Sequence, residues 1–127
     1  MSAAEDLVRR FYDAFNAEDL EGLVATLHPD VELVTARGPR YGHDGARVWA
    51  TRVAGGELEQ RIALDGVRVR GERAVALVRR QWWWREEGEL AEEEELASLF
   101  ELRDGLIERV VTAEDRAAAL ASAGIEV

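Results

Sequence analysis

A chain of 127 residues can bury one sizeable core, and no break in composition divides it, so residues 1–127 are expected to form a single domain. The net charge of −10, from 26 acidic against 16 basic residues, disfavours nucleic acid and anionic membranes as partners. Cysteine and lysine are both absent, which excludes disulfides, thiolate metal ligands, cysteine nucleophiles, Schiff-base chemistry and a P-loop.

Ser2-Ala3-Ala4-Glu5 reads as a capping box, and Leu7, Phe11 and Phe15, with Val8 and Tyr12 beside them, form one apolar stripe of a first helix. Asp19 can cap a second helix carrying Leu20, Leu23, Val24 and Leu27, which Pro29 ends. Val31, Leu33 and Thr35 then alternate as in a short strand. Asp44 can cap a third helix with Val48, Trp49 and Val53, stopping at Gly55-Gly56. From Arg61 onward the texture is that of strands: Arg61–Arg70 with a bulge at Asp65-Gly66, where the apolar pairs fall out of phase, then a turn at Gly71-Glu72-Arg73 and a strand over Ala74–Arg85. A turn over Glu86–Leu90 leads back through Ala91–Leu102, and Asp104-Gly105 makes a tight hairpin into Leu106–Val111. Thr112-Ala113-Glu114-Asp115 resembles a further capping box, opening a last helix that runs to Ala123 with Gly124 after it. Helices first and then a run of antiparallel strands make an α+β domain.

The order of these signals carries a family resemblance. The aromatic helix running into Glu18-Asp19-Leu20, then Leu27-His28-Pro29-Asp30-Val31-Glu32, Tyr41-Gly42-His43-Asp44-Gly45, the Arg103-Asp104-Gly105-Leu106-Ile107 hairpin and the Ala-rich tail together resemble the SnoaL-like branch of the nuclear transport factor 2-like superfamily. The resemblance implies N-terminal helices packed on a strongly curved, mostly antiparallel sheet, a cone with one internal pocket. It implies a homodimer through the outer sheet face. This architecture hosts isomerases, epoxide hydrolases, cyclases, dehydratases and non-catalytic modules, so fold does not select function.

Strand parity decides which residues see the pocket. A turn at Glu86–Gly88 would set Arg79 near Leu96, Gln81 near Glu94 and Trp83 near Glu92. Arg80, Trp82 and Trp84 would then share the other face with Glu95, Glu93 and Ala91, leaving Trp82 and Trp84 on a partner surface. Alignment on the Asp104-Gly105 hairpin places Arg79 where limonene-epoxide-hydrolase relatives carry a pocket arginine, while their two aspartates fall on Gln81 and Thr112. The ketosteroid isomerase positions fall on Thr35 for the base, Phe11 for the oxyanion-hole tyrosine and Ser98 for the oxyanion-hole acid, so neither known route is retained. The candidate catalytic residues are Glu94, Arg79, Gln81 and Tyr41. The candidate ligand-binding residues are Phe11, Phe15, Thr35, Trp49, Trp83, Leu96, Ser98, Val110 and Thr112.

The Arg79–Glu94 pair reads either as an arginine that orients a proton-transferring carboxylate or binds a ligand oxyanion, or as a structural salt bridge. His28 reads as a helix-end residue, and His43 as a capping or loop contact. His43 with Asp44 is too little for a metal, so neither metal nor cofactor is expected. No apolar run approaches the roughly 20 residues of a membrane span, and no leader is visible, so a cytoplasmic protein is expected. Its function is expected to be binding of a small apolar molecule, either as a cofactor-independent isomerase, cyclase or epoxide hydrolase, or as a non-catalytic ligand-binding or dimerisation module.

Overall fold

The structure, a computed structural model, describes residues 2–35, 38–53, 57–113 and 115–125, without the side chains of Thr35, residues 51–53 and Ala113. Helix α1 (Ala3–Asn16) starts at Ser2, whose hydroxyl accepts the Glu5 N–H at 3.0 Å, and its apolar stripe Leu7, Val8, Phe11, Tyr12 and Phe15 is buried. Asp19 caps α2 (Leu20–Val24) by accepting the Gly22 N–H at 3.0 Å. The second helix ends earlier than its apolar spacing predicts. The Thr26 hydroxyl donates to the Leu23 carbonyl at 2.6 Å, and the Thr26 carbonyl accepts the Ile107 N–H at 2.9 Å. Leu27 and Pro29 therefore belong to strand β1 (Leu27–Thr35): pairing with a strand far along the chain overrides local helical preference.

Strand β2 (Gly38–Tyr41) returns along β1, and α3 (Gly42–Val53) follows directly. Asp44 is thus inside the first turn of α3 rather than its cap, where it pairs with Arg47 at 3.0 Å. The expected stop at Gly55-Gly56 lies outside the described residues. Four strands follow: β3 (Leu58–Arg70), β4 (Arg73–Trp84), β5 (Leu90–Arg103) and β6 (Leu106–Ala113). Asp104 and Gly105 both take positive φ (54° and 75°) in the β5–β6 hairpin, as a two-residue turn of this kind requires. Thr112 does not open the last helix. It pairs with Ser98 in the β5–β6 ladder, and Asp115 caps α4 (Arg116–Ser122) through the Ala118 N–H at 3.1 Å.

The six strands form one sheet in the order β2-β1-β6-β5-β4-β3, antiparallel except for β1 beside β6. The sheet is not closed: β2 and β3 are its edges. Helices α1 and α3 cover one face, where the main core gathers Phe11, Tyr12, Leu27, Val31, Val78, Leu96 and Phe100. Helix α4 covers part of the other, packing Ala119, Leu120 and Ala123 against Val75 and Ala97. At the β3 edge Asn16 does the work of a neighbouring strand. Its amide donates to the Ile62 carbonyl and accepts the Ile62 N–H, both at 2.8 Å.

The β1–β6, β3–β4, β4–β5 and β5–β6 pairings each carry a register shift, and two of these, in β3–β4 and β4–β5, bear on the expected site. The bulge expected at Asp65-Gly66 is present, with the β3–β4 register shifting between Leu64 and Gly66. The second was not foreseen. Trp84 exchanges hydrogen bonds with Gly88 and Glu89 across the turn, and Trp83 pairs with Leu90. Trp82 then pairs with Glu92, leaving Ala91 over. One extra residue turns all later side chains of a strand to the opposite face relative to its partner. The expected opposition of Arg79 with Leu96, Gln81 with Glu94 and Trp83 with Glu92 is accordingly replaced by Arg79 with Glu95, Arg80 with Glu94 and Gln81 with Glu93.

Candidate functional site

Between α1, α3 and the sheet lies a cavity of about 340 Å³. Helix α1 contributes Phe11, Tyr12 and Phe15, and α3 contributes Trp49. From the sheet come Leu33 and Val34 of β1, Gln60 and Ile62 of β3, Val78 and Arg80 of β4, Leu96 and Ser98 of β5, and Val110 and Thr112 of β6. The aromatic part is a packed stack: Phe11 lies parallel to Trp49 (6.3 Å, 12°), and Phe15 tilts onto the same indole at 5.4 Å. Behind it Phe100, fully buried, meets Phe11 and Tyr12 edge-on at 5.5 and 5.8 Å.

The polar groups are few. Burial pushes the Tyr12 phenol well above the usual tyrosine range, outweighing the opposing hydrogen bond with Ser98, so Tyr12 stays neutral. Arg80 is the charged residue of the lining. Its Nε donates to Glu94 Oε1 at 2.7 Å, its Nη2 reaches the same oxygen, and its guanidinium carbon sits 5.0 Å from the centre of the Trp82 ring. The two side chains are 33 % and 39 % exposed, so water reaches the pair.

Among the sequence-predicted site residues, Phe11, Phe15, Trp49, Leu96, Ser98, Val110 and Thr112 line the cavity. Arg79, Gln81 and Trp83 do not: β4 alternates without a break, and with Ala74, Ala76 and Val78 on the α1 face these three point to the outer face. There Arg79 holds Asp65 at 2.9 Å and Glu93 at 3.4 Å, and Gln81 donates to Glu93 at 2.6 Å. Trp83 donates to Gln81 at 3.2 Å with Arg61 over its ring. Glu94 faces the cavity side, with Arg80 as its partner in place of Arg79. Tyr41 is 65 % exposed on β2 and is not part of the wall. The Thr35 side chain lies outside the described residues.

The outer face carries its own charge network. Arg116 of α4 donates to the Val78 and Leu96 carbonyls and to Asp65, the β3 bulge residue. Burial alone would raise the Asp65 carboxyl, but Arg116 and Arg79 together hold it below the usual carboxylate range. The histidines are structural. His28 lies in β1 rather than at a helix end, and its Nδ1 accepts the Asp30 N–H at 3.0 Å. His43 Nε2 meets the Leu27 carbonyl at 2.9 Å, joining α3 to β1. Among the described residues no three His, Asp or Glu side chains are grouped to hold a metal, and no helix is long and apolar enough to cross a membrane.

A family model for the SnoaL-like domain matches residues 8–110. The chain belongs to the SnoaL-like domain family. No curated protein matches it. Among solved structures it is similar to a nuclear transport factor 2-like protein of unknown function from Burkholderia pseudomallei, at 26 % identity over 95 % of this chain and 97 % of that one, TM-score 0.73. It is also similar to TerC co-crystallised with polyporic acid, at 26 % identity over 92 % and 95 % of the two chains, TM-score 0.72. An LEH-like epoxide hydrolase of M. tuberculosis shares the fold, at 18 % identity over 89 % of this chain and 83 % of that one, TM-score 0.74. These likenesses bear out the SnoaL-like, nuclear transport factor 2-like reading of the sequence.

Proposed function

We propose that this SnoaL-like domain binds a small, flat, oxygenated hydrophobic molecule in its cavity and converts it by acid–base chemistry, with Glu94 as proton acceptor and Arg80 as the cation that steadies the resulting negative charge. One observation carries the reading: an aromatic-walled space of about 340 Å³ has at its wall a guanidinium, Arg80, that holds the carboxylate of Glu94 behind it. Tyr12 and Ser98 supply neutral hydrogen-bonding groups, and Thr112 and Gln60 add further polar contacts. The similarity to TerC, crystallised with polyporic acid, supports a small organic ligand.

Isomerisation or cyclisation fits better than epoxide opening by an Asp–Arg–Asp set. The inward neighbours of Arg80 on β4 are Val78 and Trp82, and β6 presents Thr112, so no second carboxylate flanks the arginine at those positions. Glu94→Gln and Arg80→Gln should each abolish turnover while the far-ultraviolet circular dichroism is kept. Unchanged turnover in both variants would end the catalytic reading.

A second reading, a non-catalytic binding module, is favoured by the wall itself: none of its lining residues is a carboxylate or an imidazole. It expects a ligand to raise the melting temperature without product, through a stabilisation of about 2.7 kcal/mol at a hundredfold excess over Kd. Product from a bound compound would remove it. A homodimer through the outer sheet face belongs to both readings, with the exposed Leu90, paired with Trp83 at the β4–β5 end, as an apolar contact. Sedimentation as a monomer at high micromolar concentration would exclude that assembly.

A further inference from the structure

We infer that the ligand carries an acidic oxygen (an enol, phenol or carboxylic acid on its flat body) which replaces Glu94 on Arg80 as it enters. The inference rests on the ligand-binding reading above and specifies the ligand's class. Three observations lead to it. Arg80 is the charged member of the cavity wall, whereas Glu94 is not part of that wall and meets the cavity through Arg80. Nε and Nη2 of the guanidinium both converge on one oxygen of Glu94, so a single incoming oxygen can take over both contacts. Glu94 is 39 % exposed and can turn to water when released, while Arg80 is held by the Trp82 face and stays.

The exchange balances in charge and protons. A neutral ligand O–H gives its proton to the Glu94 carboxylate, its oxyanion takes the guanidinium, and the pocket keeps zero net charge as a carboxylic acid beside an Arg–oxyanion pair. A ligand that arrives already ionised displaces Glu94 into solvent. Either way, the pair acts as a filter. A neutral molecule without an acidic oxygen must leave the Arg80–Glu94 bond intact and brings no charge of its own to pair with the guanidinium.

The test uses two matched flat probes, 2-naphthoate and 2-naphthamide, titrated calorimetrically at pH 7 into the wild-type chain, Arg80→Gln and Glu94→Gln. The wild type is expected to bind the carboxylate roughly tenfold more tightly than the amide. Arg80→Gln should erase that preference by lowering the naphthoate affinity roughly tenfold. Glu94→Gln should strengthen naphthoate binding by about tenfold, because the internal competitor is gone. A merely structural pair predicts the reverse for Glu94→Gln. Equal binding of both probes to the wild type, or weaker naphthoate binding to Glu94→Gln, overturns the exchange and leaves the binding reading standing. Binding of neither probe overturns both.

Discussion

Replacing Asn16 by alanine tests how α1 is held over the cavity. Strand β3 is an edge, so the outward N–H and C=O of Ile62 have no strand to pair with, and the Asn16 amide satisfies both at 2.8 Å. The bond matters for the site because Ile62 on one side and Phe15 on the other both line the cavity. Two such bonds contribute about 0.5–1.5 kcal/mol each, so about 1–3 kcal/mol is at stake. Water can reach the part-buried amide after the substitution, and alanine is the better helix former at this last helical position; both pull the loss toward about 1–2 kcal/mol. With a urea m-value of about 1–3 kcal/mol/M, the unfolding midpoint should fall by roughly 0.3–2 M. Native-state hydrogen exchange should quicken at the Ile62 amide. Asn16→Asp keeps the acceptor but sets a carboxylate against the Ile62 carbonyl, and should cost at least as much. A midpoint shift below about 0.2 M in Asn16→Ala, with Ile62 exchange unchanged, would refute the idea that this amide stands in for a strand.

Phe100→Ala removes a fully buried ring touching Phe11 and Tyr12, and should cost about 3–5 kcal/mol in chemical denaturation; a loss under about 2 kcal/mol would mean that the core collapses around the gap. Gly105→Ala should cost about 1–2 kcal/mol, although nothing crowds the site, because φ is +75° there; an unchanged melting temperature would count against backbone conformation as the cause. Asp65→Asn should be less stable than the wild type at pH 7. The folded carboxyl is held below its unfolded value of about 3.9, so its contribution is present above that pH and is lost as pH falls through the lower folded value. The gap between the two proteins should therefore narrow as the pH falls below about 3.9, and a gap that does not change on acidification would exclude the Arg116–Asp65–Arg79 cluster as its source.

The features legible in the sequence are those decided within a few residues. Ser2 and Asp19 cap their helices because a short side-chain oxygen meets an N–H three residues on. The Asp65 bulge shows as a phase slip between Leu64 and Val67, and Asp104-Gly105 supplies the two positive-φ residues of its turn. The misreadings come from pairing over long distances. Leu27 continues a helical spacing, yet Ile107, eighty residues on, captures it for the sheet. Thr112 looks like a cap until Ser98 claims it for a ladder. Tyr12 belongs to the apolar stripe of α1, and nothing local marks its hydroxyl as one that will meet Ser98 inside the cavity.

The site turned on a parity that the sequence leaves undecided. Along the first half of β4 both faces are apolar, Ala74, Ala76 and Val78 toward α1 and Val75 and Leu77 toward α4, so burial does not discriminate between them. Along the second half, Arg79-Arg80, Trp82-Trp83-Trp84 and Glu92-Glu93-Glu94-Glu95 are runs in which neighbours are alike. A slip by one residue still sets arginine against glutamate and tryptophan against the turn, with little change in cross-strand energy. What decides is the closure of the turn. Gly88 in the left-handed region and the bonds of Trp84 to Gly88 and Glu89 place Leu90 opposite Trp83, and the ladder then absorbs Ala91 as a bulge. Carried on without that bulge, the Trp83–Leu90 register would set Arg79 opposite Glu94. One unpaired alanine thus sets Arg80 rather than Arg79 opposite Glu94. Arg80, stacked and glutamate-bound, stands at the cavity, and Arg79 holds the Asp65 bulge outside.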